Sequence, residues 1–111
     1  MIILTGDTAR IALDLLDETG AARNVAAALQ IQVAIRRLHP ATPLLAAGPY
    51  PCSAAVSGAD WTNGLVVAEL PSADLASLAG GHYDIEVRAD LPTGPERWLF
   101  AEAVPIIASA F

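Results

Sequence analysis

Between Ala28 and Arg36 the chain reads Ala-Leu-Gln-Ile-Gln-Val-Ala-Ile-Arg, and this alternation constrains the fold more than any other feature. Leu29, Ile31, Val33 and Ile35 take every odd position, with Gln30, Gln32, Ala34 and Arg36 between them. A period of two places the apolar residues on one side of an extended strand, whereas a helix would scatter them around its circumference. Three of the four are β-branched, which suits a pleated surface. The abundance of alanine invites a helical reading, and the period overrules it.

The same pattern recurs along the chain. From Thr8 to Asp17, Ile11, Leu13 and Leu15 alternate with Arg10, Ala12 and Asp14. A turn follows at 17–22, where Gly20 can take positive φ; residues 24–27 show no decisive period. From His39 to Pro51, prolines 40, 43, 49 and 51 predict a long loop or an edge excursion, not a regular element. Residues 52–57 read as a weak strand, 58–64 as a loop closed by Asn63-Gly64, and 65–70 as a buried strand. Pro71 to Leu78 predicts one short helical turn, capped by Ser72, favoured by Asp74 near its start and stopped by Gly80-Gly81. Tyr83, Ile85 and Val87 form another alternating strand, Asp90 to Pro95 a hairpin loop, and Trp98, Phe100, Val104 and Ile106 the last strand. No internal repeat stands out.

The 111 residues fit a single domain spanning 1–111, large enough for one core without disulfides or metal. Hydrophobic residues make up 54% and charged residues only 16%, an apolar balance that favours burial of extra surface against other chains. The net charge is −6, with six arginines, no lysine and one adjacent basic pair, Arg36-Arg37. Phosphate backbones require clustered cations, so nucleic acid is not expected as a partner. The single cysteine, Cys52, predicts no internal disulfide. The opening residues lack a basic, leader-like region, and no apolar run approaches membrane-spanning length, so a protein made in the cytoplasm is expected, with no membrane partner.

Groups that could carry chemistry do not converge. His39 and His82 stand far apart in sequence, neither with a ligand at metal-binding spacing. Cys52, after Pro51 and before small residues, reads as a structural thiol, with a catalytic role as the competing idea. Asp7, Asp60 and Asn63 match no calcium loop, and no glycine-rich phosphate motif is present. No catalytic, cofactor or metal residue is expected. What remains is surface for partners. Trp61 is either an exposed anchor or a cap folded onto the core. Tyr50, between two prolines, is a second anchor, and the apolar tail ending at Phe111 is a third. Trp61 with Asp60 and Asn63 also suits the stacking and bonding of a sugar.

The segment from Leu75 to Val87 combines a short helical turn, glycines and a tyrosine that opens a strand. This resembles the tyrosine corner of immunoglobulin-like domains, with Tyr83 as the corner residue. The fold expected is therefore all-β: an immunoglobulin-like β-sandwich of about seven antiparallel strands with one short helical turn. The layout over nearly the whole chain also resembles the small immunoglobulin-like domains of tailed-bacteriophage virion proteins, such as the N-terminal domain of baseplate upper proteins. The pieces that carry the likeness are Ile11 to Leu15, Asp17 to Gly20, Leu29 to Ile35, Gly64 to Leu70, Leu78 to Tyr83 and Trp98 to Ile106. The proline-rich 40–51 region and the extra glycine before His82 depart from that pattern. The resemblance implies a non-enzymatic structural protein of the virion, assembled in the bacterial host cytoplasm. Its partners would be other virion proteins, met in multiple symmetric copies in the tail, baseplate or fibre-attachment region. Head decoration, a minor capsid role and a carbohydrate-binding surface module are the alternatives.

Overall fold

A computed structural model of the chain describes residues 3–5, 9–37, 45–78 and 81–108, with side chains over 9–37, 46–78 and 81–101. The strand at the centre of the sequence argument is β3 (Gln30–Arg37), and its parity is as the pattern dictates: Ile31, Val33 and Ile35 are fully buried. It pairs antiparallel with β6 (Gly81–Leu91), setting Val33 opposite Val87 and Ile35 opposite Ile85. Cross-strand β-branched pairs of this kind are the unit of sheet stabilisation. Beyond β6 lies β7 (Gly94–Ala108), and β1 (Ile3–Thr5) pairs with its far end. On the other side of β3 lies β4 (Leu45–Cys52), so the large sheet runs β1-β7-β6-β3-β4. The small sheet holds β2 (Ala9–Asp14) and β5 (Leu65–Leu70), paired antiparallel.

The two sheets share one core. Ile11, Leu13, Val66, Ala68 and Leu70 from the small sheet meet Ile31, Val33, Ile35, Ile85, Val87 and Ala89 from the large one. The architecture is all-β and two-layered. One pairing departs from the antiparallel expectation: β1 runs parallel to β7, with Leu4 opposite Ile107. The chain therefore places β1 and β2 in different sheets.

Several local expectations are corrected. Residues 45–52 form a strand and not a long loop: of the two readings the edge excursion is the nearer, since β4 is the edge of its sheet, where a proline's missing N–H is tolerated, and its register with β3 shifts twice. The weak strand expected at 52–57 reduces to Cys52, with turns and bends after it. Leu29 does not join the buried row of β3. It precedes the strand and is 85% exposed, its N–H donating to the carbonyl of Asp90. Helix α1 (Ser72–Ala76) has Pro71, not Ser72, at its N-cap position, and no side chain caps it. Pro71 has an extended backbone there, and its carbonyl accepts the N–H groups of Asp74 and Leu75. The helix ends at Ser77, and Gly81 already belongs to β6. The β6–β7 connection is tighter than expected, since only Pro92 and Thr93 lie outside the strands.

Asn63-Gly64 does make a turn, and a demanding one. A short 3-10 turn (Trp61–Asn63) closes on Gly64 at φ 73°, and the N–H of Leu15 donates to the Gly64 carbonyl. A Cβ at Gly64 would stand 2.5 Å from the Leu15 carbonyl oxygen and 2.8 Å from that of Arg23. Only glycine fits this approach.

Candidate functional site

Each sheet has an inner face committed to the core, so any site must be sought on the outer faces and at the ends. The outer face of the large sheet can be laid out row by row from its register. Gln30, Asp90 and Pro95 stand abreast on β3, β6 and β7; the next row is Pro51, Gln32, Arg88 and Arg97, starting from β4. Ala34, Glu86 and Leu99 follow, and then Arg36 with Asp84. Between Ile85 and Tyr83 the β7 register shifts, so the ladder is irregular beyond Leu99.

Ion pairs tie these rows together. The Arg36 guanidinium donates to Glu86 at 2.7 Å, and its Nε lies 3.9 Å from an Asp84 oxygen. Asp84, at 1% exposure, is the buried charged residue of the described set, and it faces Arg36 across the strand pair. Gln30 and Arg88 both donate to Asp90. These two bonds, Gln30 first, hold the Asp90 carboxyl below its ordinary value. Arg88 and Arg97 stand directly opposite each other, an arrangement that like charges disfavour unless carboxylates sit nearby. A shallow depression of about 200 Å³ lies between Gln32, Ala34, Pro49, Glu86 and Arg88. Leu99 stands 53% exposed beside it in the ladder.

The outer face of the small sheet differs. Val67 points away from the shared core yet is only 3% exposed. The connection after β4 passes over it: a Cβ at Gly58 would lie 4.0 Å from a Val67 methyl and 3.6 Å from the Arg10 guanidinium.

The loop end of the molecule carries a second concavity, about 410 Å³, whose lining includes Leu16, Asp17, Arg23, Glu96 and Trp98. Trp98 Nε1 donates to the Leu16 carbonyl at 2.9 Å, and Arg23 grips both Glu96 oxygens. That grip lowers the Glu96 pKa. Asp17 is also held below its ordinary value, chiefly by the Thr19 hydroxyl, with backbone N–H groups of Thr19 and Ala21 adding to it. Asp17 thus organises its own turn.

The residues singled out from sequence fall in different places. Trp61 is half-buried and packs against the core, with its indole N–H buried and unbonded. Its carbonyl accepts from Val25 and Gly64, which makes it a brace of the loop end. Asp60 and Asn63, read beside it as sugar-binding groups, bond each other at 2.7 Å. Tyr50 lies in the core at 8% exposure, its hydroxyl donating to Asp74 of α1 at 2.9 Å. Burial, then this bond, push its pKa to about 12. Tyr83 is buried at the start of β6 among the core residues. Phe111, with His39 and Asp7, lies outside the described residues. Burial pushes the Cys52 thiol to about 11, so it is protonated at neutral pH and a poor nucleophile. Among the described residues no group of three or more His, Cys, Asp or Glu side chains is placed to hold a metal.

Sequence reasoning missed the outer face of the large sheet altogether. Its residues come from four strands, and only register brings them together. No protein-family model matches the sequence, and no curated protein matches it.

Proposed function

We propose that this chain is an immunoglobulin-like module of a tailed-bacteriophage virion, an assembly or adaptor piece of the tail, baseplate or fibre-attachment region. The observation that carries the fold part is the strand order. With β2 and β5 read as strands B and E, and β4-β3-β6-β7 as C′, C, F and G, the two sheets divide as in immunoglobulin-type sandwiches. Helix α1 then falls between E and F, and buried Tyr83 opens F, where a corner tyrosine belongs. The virion part is supported by the likeness of the whole layout to phage immunoglobulin-like domains. A scaffold of this kind works by geometry. It fixes a surface in space, and repetition in a symmetric assembly multiplies weak contacts.

The test is mass spectrometry of gradient-purified particles from the phage encoding the chain, followed by antibody labelling under the electron microscope. The chain is expected in intact particles, with label on the tail or baseplate. Label on the head would move it to decoration or a minor capsid role, and absence from particles would overturn the reading.

A further inference from the structure

We infer that the free edge of β2 is a strand-acceptor site, and that its occupant is an extended segment of another protein, added antiparallel to β2. The inference does not depend on the virion reading. The large sheet has five strands and the small sheet two, so the small sheet cannot cover all of the large one. Val87 and Ile85 on β6 are 0% and 1% exposed, whereas their inward-facing neighbours on β7, Trp98 and Phe100, are only partly buried. The cover thins between β6 and β7, beside β2.

The ladder shows which backbone groups of β2 are unused. The N–H of Leu15 donates to Gly64, and Leu65 exchanges both of its backbone bonds with Asp60, away from β2. In an antiparallel pair, bonded and non-bonded residues alternate. Ala9, Ile11 and Leu13 therefore turn their N–H and C=O groups toward β5, and Arg10, Ala12 and Asp14 turn theirs to the free edge. The next residue of that parity, Leu16, has its carbonyl taken by Trp98 Nε1, which sets this edge beside β7. The concavity lined by Leu16, Glu96 and Trp98 lies at its end. No described strand pairs with this edge. The large sheet's edge at β4 is blunted by Pro49 and Pro51, but β2 carries no proline. An edge of this kind accepts an added strand through its main chain.

Side chains specify the occupant. Arg10, Ala12 and Asp14 are exposed on the outer face of β2, and neither Arg10 nor Asp14 forms an ion pair with a described residue. An antiparallel strand meets Asp14 first and Arg10 last. A basic residue opposite Asp14 and an acidic one opposite Arg10 complete two cross-strand pairs. The positions opposite Leu13 and Ile11 point inward, toward Trp98 and Phe100, and call for apolar side chains. The occupant therefore reads basic, apolar, small, apolar, acidic. β2 has this order itself, from Arg10 to Asp14. A second copy, however, would bring its own β7 into the layer already held by β7 of the first, which a lone segment does not.

The test is NMR of the full chain titrated with the capped peptide Thr-Lys-Val-Ser-Val-Glu-Thr or its charge-exchanged form, Thr-Glu-Val-Ser-Val-Lys-Thr. The N–H groups of Arg10, Ala12 and Asp14 should exchange quickly with solvent in the dilute free chain, and slowly with the first peptide bound. The second peptide should bind roughly tenfold more weakly. A chain carrying both Arg10→Glu and Asp14→Arg, at exposed positions, should reverse that preference. Circular dichroism reports whether this variant folds; if it does not, the wild-type preference and the exchange protection carry the test. Slow exchange at these three amides in the dilute free chain would mean that the chain covers its own edge, and overturns the inference. Protection that appears on concentrating the chain alone assigns the edge to a second copy and also overturns it. So do equal binding of the two peptides and a lack of protection by the first at about 1 mM.

Discussion

Val67 and Leu99 both stand on outer faces, one on β5 of the small sheet and the other on β7 of the large sheet. Val67 is 3% exposed because the segment after β4 folds across it, while Leu99 is 53% exposed. The small sheet needs this cover, since two strands have little packing of their own. The large sheet is held by pairing across β4, β3, β6 and β7, and Leu99 and Arg88 on its outer face stay exposed. The difference teaches how a small sandwich uses its connecting chain: to cover the sheet that has fewer strands to hold it.

The same substitution at both positions breaks or upholds that contrast. Val67→Asp forces a carboxylate under the covering segment and should cost at least about 3 kcal/mol in chemical denaturation. Gly64→Ala disturbs the turn that closes this segment onto Leu15 and Arg23, and should cost about 2–3 kcal/mol. Tyr50→Phe removes the bond from β4 to Asp74 and should cost about 1 kcal/mol at neutral pH. Tyr50 also gives the contrast a pH signature. Its folded pKa, about 12, lies above the ordinary 10.0, so its contribution is intact below pH 10 and lost as pH rises through 12. Cys52 acts in the same direction at slightly lower pH, from 9.0 to about 11. Tyr50→Phe should therefore flatten the upper part of the alkaline unfolding limb and leave the part due to Cys52. The smallest effect belongs to Leu99→Asp, expected within about 0.5 kcal/mol of the unaltered chain. A large loss there would mean that the exposed position is structural.

The strands that alternate strictly were legible because burial on one face imposes the period locally. Ile31, Val33 and Ile35 needed no partner to be recognised. Leu29 shared their period but not their burial, since it precedes β3 and the alternation carries no information about where a chain enters a sheet. Residues 45–52 were only half legible: proline argues against a strand in general and left a loop and an edge excursion open, and only the edge position, a long-range property, decides between them. Tyr50 read as an exposed anchor because its proline neighbours suggested a loop. Once 45–52 is a strand, parity turns its ring inward. Arg36, Asp84 and Glu86 are far apart or alternate in sequence, and cross-strand register, which no local window contains, assembles them.

The contrast between covered Val67 and exposed Leu99 can be read without mutation by hydroxyl-radical footprinting of the native chain in dilute solution. Leu99 should be labelled readily, with Val67 protected. Equal labelling of Val67 and Leu99 would contradict the account.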